Sequence, residues 1–226
     1  MRESAIPPAV ALGRLREARR LADEHTERTR NLSTHHRMHS VAMRAENEEL
    51  EGNWEALRSM QEEIELAVEA NRETPCVRNA RCLLLCAAAR AEAGDWSEAR
   101  ALEVAADHIG LEGHSYALEA ARIRLALVRN DTQALTTLLQ RVPTHRFVFD
   151  LHALAARFDA IAALGDSNRA EEEAPRYLIH GTYLEPFALR ALGAARKDES
   201  LISQAVKRFL ALRLEWHASQ TRALVG

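Results

Sequence analysis

The stretch THHRMH, residues 34 to 39, concentrates side chains that can bind a metal. On a helix His35 and His39 lie four residues apart on one face and could share one ion, while His36 points away by about 100°. Two imidazoles make an incomplete site, and a third ligand would have to come from another element. Histidines at a helix start more often sit part-exposed or act as caps, so no metal and no cofactor are expected. Cys82 and Cys86 are also four apart, with Cys76 upstream beside Pro75. They lack the C-x-x-C knuckle of zinc sites, and the apolar run RCLLLCAAA points to core packing.

Residues 46 to 69 carry Glu46, Glu48, Glu49, Glu51, Glu55, Glu62, Glu63, Glu65 and Glu69 against Arg58 alone. A solvated helix face is the expected role, and recruitment of a basic partner is the alternative. The chain has no G-x-x-x-x-G-K-[ST] loop, no G-x-G-x-x-G, no H-E-x-x-H and no G-x-S-x-G. Nucleotide hydrolysis, dinucleotide binding and the common hydrolytic mechanisms therefore lack their usual equipment, and the chain is not expected to be an enzyme.

The elements that position these residues are announced by AEAGDWSEARALE, residues 91 to 103. Gly94 suits the left-handed end of one helix, Asp95 can cap the next, Glu98 completes a capping-box-like pattern, and Trp96 supplies an apolar anchor. The same turn recurs as GNWEAL, NDTQAL, GDSNRA and KDESLI, with caps Asn53, Asp95, Asp131, Asp166 and Asp198 separated by 42, 36, 35 and 32 residues. Leu118, Ala121, Leu125 and Val128 form a helical core stripe, with Ser115, Glu119 and Arg122 marking another side; Phe147, Leu151, Leu154, Phe158 and Ile161 repeat the pattern. Pro175 ends a short helix in the fifth unit, and Thr182 with Glu185 predicts a capping box ahead of Pro186. Trp54, Trp96 and Trp216 are expected as packing anchors between helices. Few β-branched runs, 5% aromatic and 28% charged residues among 226 argue for an all-α chain.

A period of about 34 residues in capped helix pairs resembles tetratricopeptide (TPR) repeats. Ala99 and Ala106 take the small positions of the second helix, whereas the Gly and Tyr expected in the first helix are absent. The resemblance implies one TPR-like domain over 1–226, a right-handed superhelix of about five hairpins over 35–211. N-terminal (1–34) and C-terminal (212–226) helices are expected to cover its ends. HHRMHSVAM, EELEGNWEALR, VEANRETPCVRNARCLLLCA and LEPFALRALGA together resemble the helical C-terminal region of bacterial adenylate or guanylate cyclase-like proteins and AAA-type (STAND) signalling ATPases. That resemblance implies a non-catalytic protein-interaction or regulatory module. Its partner would be a protein, a peptide or another domain of a larger regulator; a small-molecule sensor and a dimerising segment are the alternatives.

Counting nine residues back from the caps reaches Arg44, Cys86, Arg122, Arg157 and Leu189, with Arg190 beside the last. Stacked repeats would align Arg44, Arg122 and Arg157 as a ladder, with Arg190 adjacent to its last position, able to grip an acidic peptide or an anionic metabolite. Internal pairing of each arginine is the competing expectation. A net charge of −3 gives no general attraction to nucleic acid. The N-terminus is unlike a secretory signal, no apolar run reaches membrane-spanning length, and three cysteines suit a reducing compartment, so a cytoplasmic location is expected.

Overall fold

The computed structural model describes residues 5–109, 115–140 and 150–224. Among them there are fourteen α-helices and no strand, so the chain is all-α. They are α1 (Ile6–Ala11), α2 (Leu15–Thr29), α3 (Thr34–Glu51), α4 (Trp54–Ser59), α5 (Gln61–Ala70), α6 (Val77–Glu92) and α7 (Trp96–His108), followed by α8 (Ser115–Val128), α9 (Thr132–Leu139), α10 (Asp150–Leu164), α11 (Ser167–Glu173), α12 (Glu185–Arg196), α13 (Glu199–Ala211) and α14 (Glu215–Arg222). No described helix is long and apolar enough to cross a membrane.

All five expected caps form. Asn53, Asp95, Asp131, Asp166 and Asp198 each accept a hydrogen bond from a backbone N–H in the first turn of the following helix. Each is preceded by a left-handed residue: Gly52 (φ 72°), Gly94 (φ 80°), Asn130 (φ 53°), Gly165 (φ 60°) and Lys197 (φ 53°). The cap's own N–H reaches back five residues, as from Asp95 to the Arg90 carbonyl at 2.9 Å and from Asp131 to the Ala126 carbonyl at 2.9 Å. One residue thus closes one helix with its backbone and opens the next with its side chain. The same backbone joint occurs at Gly13–Arg14 and Arg213–Leu214, where neither cap residue makes a side-chain cap bond. The box expected from Thr182 and Glu185 does not form: Thr182 Oγ1 donates to the Ile179 carbonyl, while Glu185 accepts from the backbone N–H of Gly181. Pro186 does fall in the first turn of α12, and Pro175 sits in the 3-10 turn that follows α11.

The joints sort the helices into two rows. In the inner row α3, α6, α8, α10 and α12 each pack on the next. They are buried around most of their circumference; on α6 nearly every residue from Arg78 to Ala91 is buried, including Arg78, Asn79 and Arg81. Outer helices bury one face only, as α7 does with Ala99, Leu102 and Ala106. Glu119, on the other side of α8 from the apolar stripe, is therefore buried as well, and Phe147 lies outside the described residues. Trp54 is buried, with its ring edge-on to Trp216 at 5.4 Å, but Trp96 is 47% exposed.

The two ends of the chain meet, instead of covering opposite ends of an array. Ile6, Val10, Leu15 and Leu21 of α1 and α2 share one apolar core with Phe158, Tyr183, Phe187 and Phe209. The Leu50 carbonyl, at the end of α3, accepts from Tyr183 Oη at 2.8 Å and from His217 Nε2 at 3.2 Å. Tyr183 N–H also donates to the Ala11 carbonyl at 3.1 Å. A Cβ on Gly52 would meet the Trp216 ring at 2.7 Å, so only glycine fits where α14 docks on α3.

Candidate functional site

Because the inner helices are buried nearly all round, the polar residues they carry must find partners inside. At one end of this layer Glu49 of α3 accepts from Arg81 Nη2 at 2.6 Å and pairs with His152 Nδ1 of α10 at 2.7 Å. Arg81 also donates to the Ala117 carbonyl at 2.9 Å and lies 3.6 Å from Glu46. Arg78 meets both oxygens of Glu46, at 3.3 and 3.4 Å. Burial alone would raise the Glu49 carboxyl, but the charges of Arg81 and His152 outweigh it and hold it at about 2.

At the other end a single carboxylate, Asp159 of α10, pairs with two guanidiniums, Arg124 of α8 and Arg190 of α12. Arg190 lies over the faces of Phe187 and Phe209, 5.2 and 4.9 Å from the ring centroids, and donates to Thr221 Oγ1 at 3.2 Å. Burial, then the neighbouring Arg124, pushes the Arg190 guanidinium down to about 9, and burial lowers Arg124 as well. The Nε atoms of both arginines are buried without a hydrogen-bond partner. The three side chains line a cavity of about 320 Å³ with Glu92, Leu127, Trp216 and Gln220.

The three arginines predicted as a ladder, and Arg190 beside it, do not line one groove. Arg44 pairs with Glu63 at 2.7 Å, and Arg122 lies 3.5 Å from Asp107. Arg157 makes a two-pronged pair with Glu173 at 2.6 and 2.7 Å and donates to the Leu139 carbonyl. Each of the three pairs with a different acid; Arg157 is buried and needs that counter-charge, whereas Arg44 and Arg122 are part-exposed on the surface. Of the four, only Arg190 reaches the cavity. The residues that join it there stand two positions later in the register. Seven residues before the caps come Glu46, Arg124 and Asp159, all buried, and charged residues recurring at that spacing in apolar helices are the signal the nine-residue count passed over.

The acidic run is also divided. Glu46, Glu48 and Glu49 are buried, with Glu48 bound by Arg19 and by Asn53 Nδ2 at 2.8 Å, whereas Glu55, Glu62, Glu63, Glu65 and Glu69 are exposed. The solvated face therefore begins only after α3.

A third cluster lies where α3 starts. His36 turns outward to Ser33 Oγ at 2.8 Å, while His35 and His39 pack together with ring centroids 4.4 Å apart. Cys76, the residue that caps α6, brings Sγ within 3.6 Å of His39 Nε2. Burial would raise this thiol, but His39 and the backbone N–H groups of Arg78 and Asn79 hold it below its ordinary value. Cys82 and Cys86 are buried core residues, as their apolar surroundings predict, and burial pushes Cys86 up to about 12.

Compared with family models, with curated proteins and with solved structures, the chain matches none of them.

Proposed function

We propose that this protein is a non-catalytic recognition module whose inner cavity receives a small anionic ligand, in keeping with a regulatory role in bacterial signalling. The reading treats the hairpins as TPR-like repeats of a superhelix, drawn into a closed form by the contact of its ends. The observation that carries it is the imbalance of charge beside the cavity, where two guanidiniums share one carboxylate. Carboxylate or phosphate oxygens would balance that charge with charge-assisted bonds. A cavity of about 320 Å³ suits a metabolite rather than a folded partner. Three free cysteines agree with a cytoplasmic setting.

Calorimetric titration with a panel of dicarboxylates and phosphate esters tests this, together with native mass spectrometry for a retained ligand. Glu92→Gln, which removes a negative charge at the rim, should tighten binding several-fold, and Gln220→Glu should weaken it by a similar factor. Affinities indifferent to both changes would overturn the reading. A second reading, a protein or peptide partner on the outside, is favoured by exposed Trp96 and by Leu66, 65% exposed on α5. Substituting Trp96 would abolish that interaction and leave the cavity untouched.

A further inference from the structure

We infer that His35, His39 and Cys76 form a binding site for a divalent ion of the zinc class. Their donor atoms all lie within 4.8 Å of one another, drawn from two elements that the fold holds together: the first turns of α3 and the residue capping α6. The donor set is two imidazoles and a thiol. Those ligands suit zinc, cobalt and related borderline metals, and they exclude calcium and magnesium, which require oxygen. Tetrahedral coordination with bonds of about 2.1 to 2.3 Å sets donors about 3.6 Å apart. Cys76 Sγ and His39 Nε2 already meet that spacing at 3.6 Å. The remaining approach is within reach of a side-chain rotation.

A second observation points the same way. His35 Nδ1 is buried and has no hydrogen-bond partner, which an ion or a water at that atom would supply. Two imidazoles packed 4.4 Å apart would repel if both were protonated, and a shared metal removes that conflict. Arg78 Nη1 lies 3.1 Å from His39 Nδ1, so ligation through Nε2, which leaves the proton on Nδ1, requires Arg78 to turn to Glu46. Glu46 already sits 3.3 to 3.4 Å from that guanidinium and can take it up. Three protein ligands leave a fourth position for water or an incoming ligand.

Reduced protein stripped with a chelator and titrated with cobalt(II) provides the test, followed by displacement with zinc(II). One equivalent should bind with a thiolate-to-cobalt charge-transfer band, and zinc should bleach it and raise the melting temperature. Cys76→Ser keeps a good helix cap and so keeps the fold. It should erase the band and weaken zinc binding at least about tenfold, a loss that even the outer partners of metal ligands can produce. His39→Ala should do the same, while His36→Ala should leave the affinity unchanged. Cobalt binding without the thiolate band, or zinc affinity preserved in Cys76→Ser, would overturn the inference.

Discussion

The two ends of the buried polar layer use the same side chains to different effect. Around Glu46 and Glu49 the groups are matched: two carboxylates face two arginines, His152 closes on Glu49, and Arg81 also reaches a carbonyl. Around Asp159 they are not, since one carboxylate serves two arginines. A matched network fixes the helices that carry it and offers nothing to an incoming molecule. A mismatched one holds them at a cost that a ligand can relieve.

The largest expected effect comes from removing the shared acid. Asp159→Asn leaves two buried guanidiniums facing each other and should destabilise the protein by about 3 to 5 kcal/mol in urea unfolding. Glu49→Gln should do less, because Arg81 keeps Glu46 at 3.6 Å. Equal losses in the two variants would erase the distinction between the ends.

Acid should act on both ends in sequence. His217 is pushed well below its ordinary value of 6.5 by burial and by Arg124 and Arg190, so the unfolded chain takes up a proton first. Its contribution is complete above 6.5 and is lost progressively as the pH falls below that value. Glu49 follows: its contribution is complete above the unfolded value of 4.5 and disappears as the pH falls toward about 2, amounting to about 3 kcal/mol. Unfolding free energies measured across this range should therefore fall in two stages, and Glu49→Gln should flatten the second.

The smallest effects lie in the joints. Asp95→Ala should cost about 1 kcal/mol by deleting a cap. Lys197→Gly should stabilise by up to about 1 kcal/mol, because Lys197 holds φ 53° without being glycine. Denaturation midpoints of the two variants should move in opposite directions.

The joints were legible because they are local: a left-handed residue and an Asx cap sit side by side and announce themselves within a few positions. Even there, two of the seven escaped, since Arg14 and Leu214 close a helix with the backbone alone and leave no side-chain signature. The buried layer was less accessible. Glu46 and Glu49 resemble a solvated acidic face until α6 and α10 are placed beside them. Arg190 was singled out through a register that otherwise selected arginines committed elsewhere, and Arg124 and Asp159 were passed over. Cys76 lies 37 residues from His39, so no local spacing joins them.

The bonds to Leu50 join residues 133 and 167 positions apart in the chain. In an open array each unit leans only on its neighbours, and fraying can begin at either end. Here the earliest helices share a core with the latest, so α3 lacks its last contacts until α14 has been synthesised and docked. Long-range closure of this kind slows folding and couples distant segments. Loss of α14 would uncover the Trp54 ring 5.4 Å from Trp216, making indole fluorescence from the first half of the chain a gauge of whether the second half has arrived.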